Sequence, residues 1–228
     1  MKRLSPLDVM PPRVTAAVQD QTYWFVIGGQ AVRCFAPYRP SRDVDFGVLR
    51  AKDKKELVAQ LRERGQVELI ERDRDTVHLT FEGIDVSIFV LRRLAAHVED
   101  RALDVTGVLA TKTHALLDRG LRRDFFDLYV MLQMGSLGLL DCLAALREVY
   151  DTDVNEGLVL RALTYFDDAE AEPPLPAEGP QDWETVTAFF DTAAAALLVP
   201  PQRRLAIQDQ VVDVAGGKGK GSSKRRRG

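Results

Sequence analysis

Phe25-Val-Ile-Gly-Gly-Gln-Ala-Val-Arg-Cys-Phe-Ala-Pro-Tyr-Arg-Pro-Ser-Arg-Asp-Val-Asp-Phe-Gly-Val48 is the stretch whose reading decides the fold. It contains an apolar strand, a Gly28-Gly29 corner, a short helix-like run from Gln30, and Asp43-Val44-Asp45 opening a second apolar strand. Residues two apart on a strand share a face, so the carboxylates of Asp43 and Asp45 project together with Val44 turned away. Two carboxylates on one face suit a hard, oxygen-seeking cation such as Mg²⁺. The paired glycines let a polyphosphate approach the backbone N–H groups of the following helix. One half of the stretch suits phosphate and the other metal, a pairing that reads as a nucleoside triphosphate site.

Working outward, residues 7 to 19 read as a helix interrupted early by Pro11-Pro12. Tyr23 to Ile27 is a continuous apolar run, the pattern of a strand covered on both faces. Lys52 to Arg64 is an amphipathic helix with Leu57, Val58 and Leu61 on one side, and Gly65 ends it. Three β-like runs follow, at 67–71, 77–81 and 84–90, the last two joined by Glu82-Gly83 and the last carrying Asp85. Strands with helices between them predict an α/β (α+β) layered domain over residues 1–105.

Beyond residue 106 the pattern is helical: 112–119, 123–133, 139–150, 154–166, 183–198 and 204–214. The proline-rich segment from Glu170 to Pro180 reads as a loop. Residues 106–214 thus form an expected helical half, and 215–228 an expected disordered basic tail. That tail places six of the chain's 31 basic residues after Gly216, leaving 25 against 34 acidic residues in the body. An acidic body does not suit a dedicated duplex-binding domain, although the tail can attract RNA electrostatically. No apolar run approaches the ~20 residues that span a bilayer, so no membrane partner is expected. With no apolar leader, and with Cys34 and Cys142 far apart in helix-like runs, the expected setting is a reduced cytoplasm.

Asp85 lies between Ile84 and Val86 on a strand reading apolar-polar-apolar, and an acid buried there needs a compensating partner. If that strand pairs beside Asp43 and Asp45, three acids converge: two hold Mg²⁺, and the third shares a metal or takes the proton of an attacking hydroxyl. In the plainer alternative Asp85 faces solvent. Lys112 can neutralise phosphate as a point charge; its plainer role, with Asp124, is an ion pair between packed helices. Asp124 and Asp127 are i and i+3 neighbours on one helix face, and Arg123 and Asp127 read as structural ion-pair residues. The aromatic residues around them read as core. No phosphate loop of the Gly-x-x-x-x-Gly-Lys type, zinc spacing or nucleophile elbow is present.

Gly28-Gly29 followed by Asp43-Val44-Asp45 resembles the signature of the nucleotidyltransferase superfamily that shares the DNA polymerase β-type catalytic fold. Lys112-Thr-His-Ala-Leu-Leu-Asp-Arg119 and Arg122-Arg-Asp-Phe-Phe-Asp-Leu-Tyr129 resemble the downstream motifs of one branch, the AbiEii/AbiGii toxin family. The resemblance covers roughly residues 20 to 135. It implies a nucleotidyltransferase-type mixed sheet with flanking helices, a two-metal Mg²⁺ site at Asp43, Asp45 and Asp85, and triphosphate contact at Gly28 and Gly29. It also implies phosphate neutralisation by Lys112 and a role in the cleft for Asp124. The implied reaction is transfer of a nucleotide from an NTP to an acceptor hydroxyl, RNA and specifically a tRNA 3′ end, by a toxin with a cognate antitoxin. A non-catalytic nucleotide- or RNA-binding protein, and an enzyme acting on a protein or small molecule, are the alternatives. The family often has a small hydroxylic residue after the double glycine; here it is Gln30.

Overall fold

The computed structural model describes residues 3–150, 154–175 and 182–198. Two short helices open the chain, α1 (Pro6–Val9) and α2 (Pro12–Val18), separated at the Pro11-Pro12 pair as the sequence predicts. Strand β1 (Trp24–Val26) is buried throughout and leads into α3 (Gly28–Arg33). The helix begins at the glycines themselves, two residues earlier than Gln30, because the turn is made at Gly28, whose φ is +60°.

Strand β2 (Val44–Val48) follows, then α4 (Ala51–Arg64), β3 (Val67–Arg72), β4 (Thr76–Phe81) and β5 (Ile84–Val90). They form one five-stranded mixed sheet in the order β1-β2-β5-β4-β3. β2 and β5 are parallel and the other neighbours antiparallel. The crossover from β2 to β5 runs through α4 and the β3–β4 hairpin, so β2 lies inside the sheet between β1 and the central strand β5. Val44, Phe46 and Val48 are fully buried on one face of β2. β3 lies at the sheet edge and is largely exposed, with Leu69 and Ile70 open to solvent.

A 3₁₀ segment (Arg92–His97) leads to a small hairpin of β6 (Val98–Glu99) and β7 (Ala102–Leu103), in a stretch for which the sequence reading named no element. The Arg101 carbonyl accepts from the Val26 N–H, partly covering the free edge of β1. Helices α5 (Val105–Asp118), α6 (Arg122–Gly135), α7 (Leu139–Tyr150), α8 (Glu156–Leu163), α9 (Asp167–Ala171) and α10 (Trp183–Leu198) complete the described chain. α5 starts seven residues before the expected Lys112, because the Asp104 side chain caps it by accepting from the Gly107 N–H at 2.7 Å. α9 occupies part of the expected 170–180 loop; the expected helix at 204–214 and the basic tail lie outside the described residues.

α5 and α6 pack against α3 and carry the helical half onto the sheet domain. Phe125 and Phe126 of α6 are fully buried; Phe125 meets Phe166, Trp183 and Phe190 at ring-centroid distances of 5.1, 5.8 and 5.5 Å. Burial of such a ring contributes about 1.5–3 kcal/mol, so these contacts fix α6, and with it the polar residues on its opposite face. No single described helix is long and apolar enough to cross a membrane; α6 and α7 qualify together by composition but meet at a 105° bend.

Candidate active site

Alternation along β2 turns Val44, Phe46 and Val48 into the core and leaves Asp45 on the opposite face, with Asp43 one pleat before it. Asp43 is held from both sides: Ser41 Oγ donates to Oδ1 at 2.8 Å and Arg123 Nη1 to Oδ2 at 3.2 Å. Burial alone raises the affinity of Asp43 for a proton, but the Ser41 hydrogen bond and the Arg123 charge outweigh it, and the carboxyl lies below its ordinary range. Asp45 is the reverse case. Burial and then the neighbouring Asp43 push its carboxyl up, against the opposing charges of Lys112, Arg123 and Arg119. Its side chain makes no hydrogen bond or ion pair among the described residues.

Gly28 lies directly against Asp45: a Cβ at residue 28 would stand 2.4 Å from Asp45 Oδ2. At Gly29 a Cβ would stand 2.8 Å from Ser41 Oγ. The glycines are therefore needed, in this arrangement, for the acid strand and its preceding loop to close over the start of α3. Gln30, the departure from the family pattern, is buried and points back into the structure. Its Nε2 donates to the carbonyls of Asp43 at 3.0 Å and Ser41 at 3.3 Å. This side chain fixes the loop that delivers Asp43, a role that a short hydroxyl cannot reach to fill.

Lys112 on α5 and Asp124 on α6 meet as expected, Nζ to Oδ1 at 3.1 Å, but the ammonium is also 2.6 Å from Asp127 Oδ2. At 4% side-chain exposure, and occupied by two carboxylates, Lys112 is placed beneath the cleft rather than open to a phosphate. From there its charge opposes the rise of the Asp45 carboxyl, and the neutralisation of phosphate expected of Lys112 would have to act from beneath the cleft. Asp124 is gripped from its other side by Arg119, whose Nε donates to Oδ2 at 3.0 Å. Asp127 receives Arg39 through Nε at 3.0 Å and Nη2 at 2.7 Å, and the Tyr38 hydroxyl at 2.6 Å. A continuous chain of charge thus runs Arg39–Asp127–Lys112–Asp124–Arg119, joining the loop before β2 to both helices.

Asp85 lies on the same side of the sheet but is exposed. In the parallel pairing Val44 faces Val86 and Asp45 faces Ser87, so the residue level with Asp45 is a serine, and Asp85 stands one pleat back beside Asp43. Asp85 follows the Glu82-Gly83 turn directly, and it joins Arg39, Ser41, Asp43 and Arg123 around an open cleft of about 370 Å³. Among the described residues no three acidic, cysteine or histidine side chains stand close enough to hold one metal ion. The expected three-acid set is therefore not assembled; the register leaves a pair, Asp43 and Asp45. That pair fits a hard divalent cation, since an unpartnered carboxylate beside a second one is relieved by a positive charge between them.

What sequence reasoning did not give is the pairing of Arg39 and Tyr38 with Asp127 and of Arg119 with Asp124, and the depth at which Asp127 lies. The i, i+3 spacing of Asp124 and Asp127 signals a shared face. Nothing local signals that a guanidinium from the 38–43 loop completes it.

The family model described as "Nucleotidyl transferase AbiEii toxin, Type IV TA system" matches residues 66–204, more than half of the chain and including Lys112, Asp124 and Asp127. The match begins after the glycine and Asp43–Asp45 stretch. An uncharacterized protein of Aquifex aeolicus (strain VF5), aq_aa25, is 26% identical over 176 residues, covering 73% of this chain and 84% of the relative. The crystal structure of a "putative nucleotidyltransferase from H. pylori" superposes with a TM-score of 0.50 at 15% identity, over 81% of this chain and 92% of that one, a likeness of fold. With more than half of its length matched by the family model, the chain belongs to the AbiEii nucleotidyl transferase toxin family of type IV toxin–antitoxin systems.

Proposed function

We propose that this nucleotidyltransferase is Mg²⁺-dependent and transfers a nucleoside monophosphate from an NTP to a hydroxyl of RNA, the 3′ end of a tRNA being the acceptor that the family resemblance implies. The observation that carries the reading is the acid pair: Asp45 on the outward face of β2 and Asp43 just before the strand, close enough to raise its neighbour's carboxyl, with Asp45 lacking a side-chain partner among the described residues and pressed against Gly28. The acceptor oxygen attacks the α-phosphorus; a new P–O bond forms, the bond to the bridging β-phosphate oxygen breaks, and pyrophosphate leaves with its electron pair. A divalent cation, when bound, neutralises charge on the phosphates and lowers the cost of that displacement. Asp43 and Asp45 would hold it. Gly28, without a side chain, lets Asp45 lie close against the start of α3, and Asp85, which lines the same cleft as Asp43, is available to accept the proton of the attacking hydroxyl. Lys112 and Asp124 position the site from below. Catalysis of this kind rests on placement and charge neutralisation more than on covalent chemistry by the protein.

The toxin–antitoxin character of the family supports a cognate antitoxin as a regulatory partner. The test is incubation with each of four labelled NTPs and total RNA, with Mg²⁺ or EDTA. Label should enter RNA only with Mg²⁺, and Asp45→Asn should abolish it. Label found only in protein would overturn the RNA acceptor, and no transfer by the folded wild type with any NTP would overturn the proposed reaction.

A further inference from the structure

Asp43 cannot offer Oδ2 freely to a cation while Arg123 holds it. The Arg123–Asp43 pair stands outside the charge chain and differs from its contacts in having both partners partly exposed, whereas each pair of the chain has a carboxylate that is at most 1% exposed. It is a single hydrogen bond at 3.2 Å, and each side chain is 35% exposed. The Arg39–Asp127 grip is two-pronged at 9% and 1% exposure, and Lys112–Asp124 stands at 4% and 0%. Asp43 is the only hydrogen-bond or ion-pair partner of Arg123 among the described residues. The guanidinium stands on the wall of the open cleft beside Arg39, so on leaving Asp43 it remains within that space. Partly exposed single-contact pairs are weak, so this one breaks at less cost than the Arg39–Asp127–Lys112–Asp124 contacts behind it, whose carboxylates are buried.

We propose that Arg123 is the resident counter-cation of the acid pair, neutralising Asp43 in the empty protein and transferring to the polyphosphate when a nucleotide arrives with its divalent cation. The inference rests on the proposed metal and nucleotide reading and deepens it. It assigns Arg123 two successive anionic partners, and it makes cation and nucleotide binding mutually reinforcing. In the empty site a cation competes with the guanidinium; with polyphosphate present the competitor has somewhere else to go. By linkage each ligand then strengthens the other equally.

The experiment is titration with Mn²⁺ alone, followed by the paramagnetic signal of the free ion, on the full chain as wild type, Arg123→Gln, Arg123→Lys and Asp45→Asn. The site counted is the one that Asp45→Asn removes. Removing a positive charge a few ångströms from the ion should tighten Mn²⁺ binding about tenfold in Arg123→Gln, while Arg123→Lys stays within about twofold of wild type. Equal or weaker binding by Arg123→Gln overturns the counter-cation role and leaves the acid pair standing. Absence of any Mn²⁺ site from folded wild type and Arg123→Gln overturns the acid-pair reading and this inference with it. In unmodified protein the Arg123 Nε–H resonance should shift on adding Mg²⁺ with inorganic tripolyphosphate; an unmoved resonance overturns the proposed transfer even if a variant fails to fold.

Discussion

Arg39 grips Asp127 with two guanidinium nitrogens across 88 residues of chain, Nε to Oδ1 at 3.0 Å and Nη2 to Oδ2 at 2.7 Å. Burial alone would lower the guanidinium's hold on its proton, but the Asp127 charge and hydrogen bonds raise it above the ordinary value. On its other side Asp127 receives Lys112, so one carboxylate neutralises two buried cations from separate parts of the fold.

Asp127→Asn should therefore be among the most damaging single changes in the chain. It leaves Arg39 without its anion and Lys112 with one carboxylate, and breaking a buried pair from one side costs about 3–5 kcal/mol. Urea denaturation should show a loss of that size, against a change below about 1 kcal/mol for the exposed pair member Lys52→Ala. Equal effects of the two would show that the grip contributes nothing special.

Acid sensitivity follows from Asp124. Burial raises its carboxyl, but Lys112 and Arg119 more than reverse this and hold it below the usual range. A carboxyl depressed in the folded state stabilises above its unfolded pKa of about 3.9, and that contribution is lost as pH falls through the lower folded value. Wild-type stability should drop through this acid window. Asp124→Asn should be less stable at pH 7 but fall more gently below pH 4, as read from denaturation midpoints across the range.

Gly28→Ala and Gly29→Ala should separate. At residue 28 the φ of +60° and the 2.4 Å approach to Asp45 Oδ2 both oppose a side chain. At residue 29 the near neighbour is the end of the Ser41 side chain, which can turn away. A displacement of about 1 Å at a reacting group can cost ~100-fold, so Gly28→Ala should lose about that much transfer activity and Gly29→Ala about tenfold or less. Initial rates with the preferred NTP decide it; equal losses would show that Asp45 is not the residue Gly28 protects.

Gln30→Leu removes both hydrogen bonds to the 41–43 loop while keeping bulk. Two partly buried carbonyls lose a donor, at a cost toward the low end of the about 1–3 kcal/mol of an unsatisfied buried group, and the backbone at Asp43 loses its anchor. Lower stability and a faster amide exchange at 41–43 should appear together. Protection unchanged at those residues would remove Gln30 from the positioning of Asp43.

The sheet was largely legible in the sequence. The runs at 23–27, 43–49, 67–71, 77–81 and 84–90 each became a strand, because period-two alternation and the Glu82-Gly83 turn are local signals. The same periodicity accounts for Asp45 pointing away from the core face of Val44, Phe46 and Val48. The position of Asp85 relative to them was not legible: it depends on which residue of β5 stands opposite Asp45, and parallel pairing through a long crossover leaves no local trace of register. The start of α5 was missed because Val105, Thr106 and Gly107 are poor helix formers, and the Asp104 cap that overrides them is visible only as a possibility. Lys112 shows the hardest limit. A lysine that reaches a phosphate and one sealed between two aspartates have the same local sequence, and only Arg39 and Asp127 meeting in space distinguishes them.

The run of alternating charges from Arg39 to Arg119 also determines how the molecule can move. Swinging the helices away from the sheet like a clamshell would separate Arg39 from Asp127 and leave uncompensated ions in a dry interior. Opening of that kind therefore costs several kcal/mol, which favours a cleft of nearly fixed width and leaves adjustment to the partly exposed side chains on its rim, Arg123 among them.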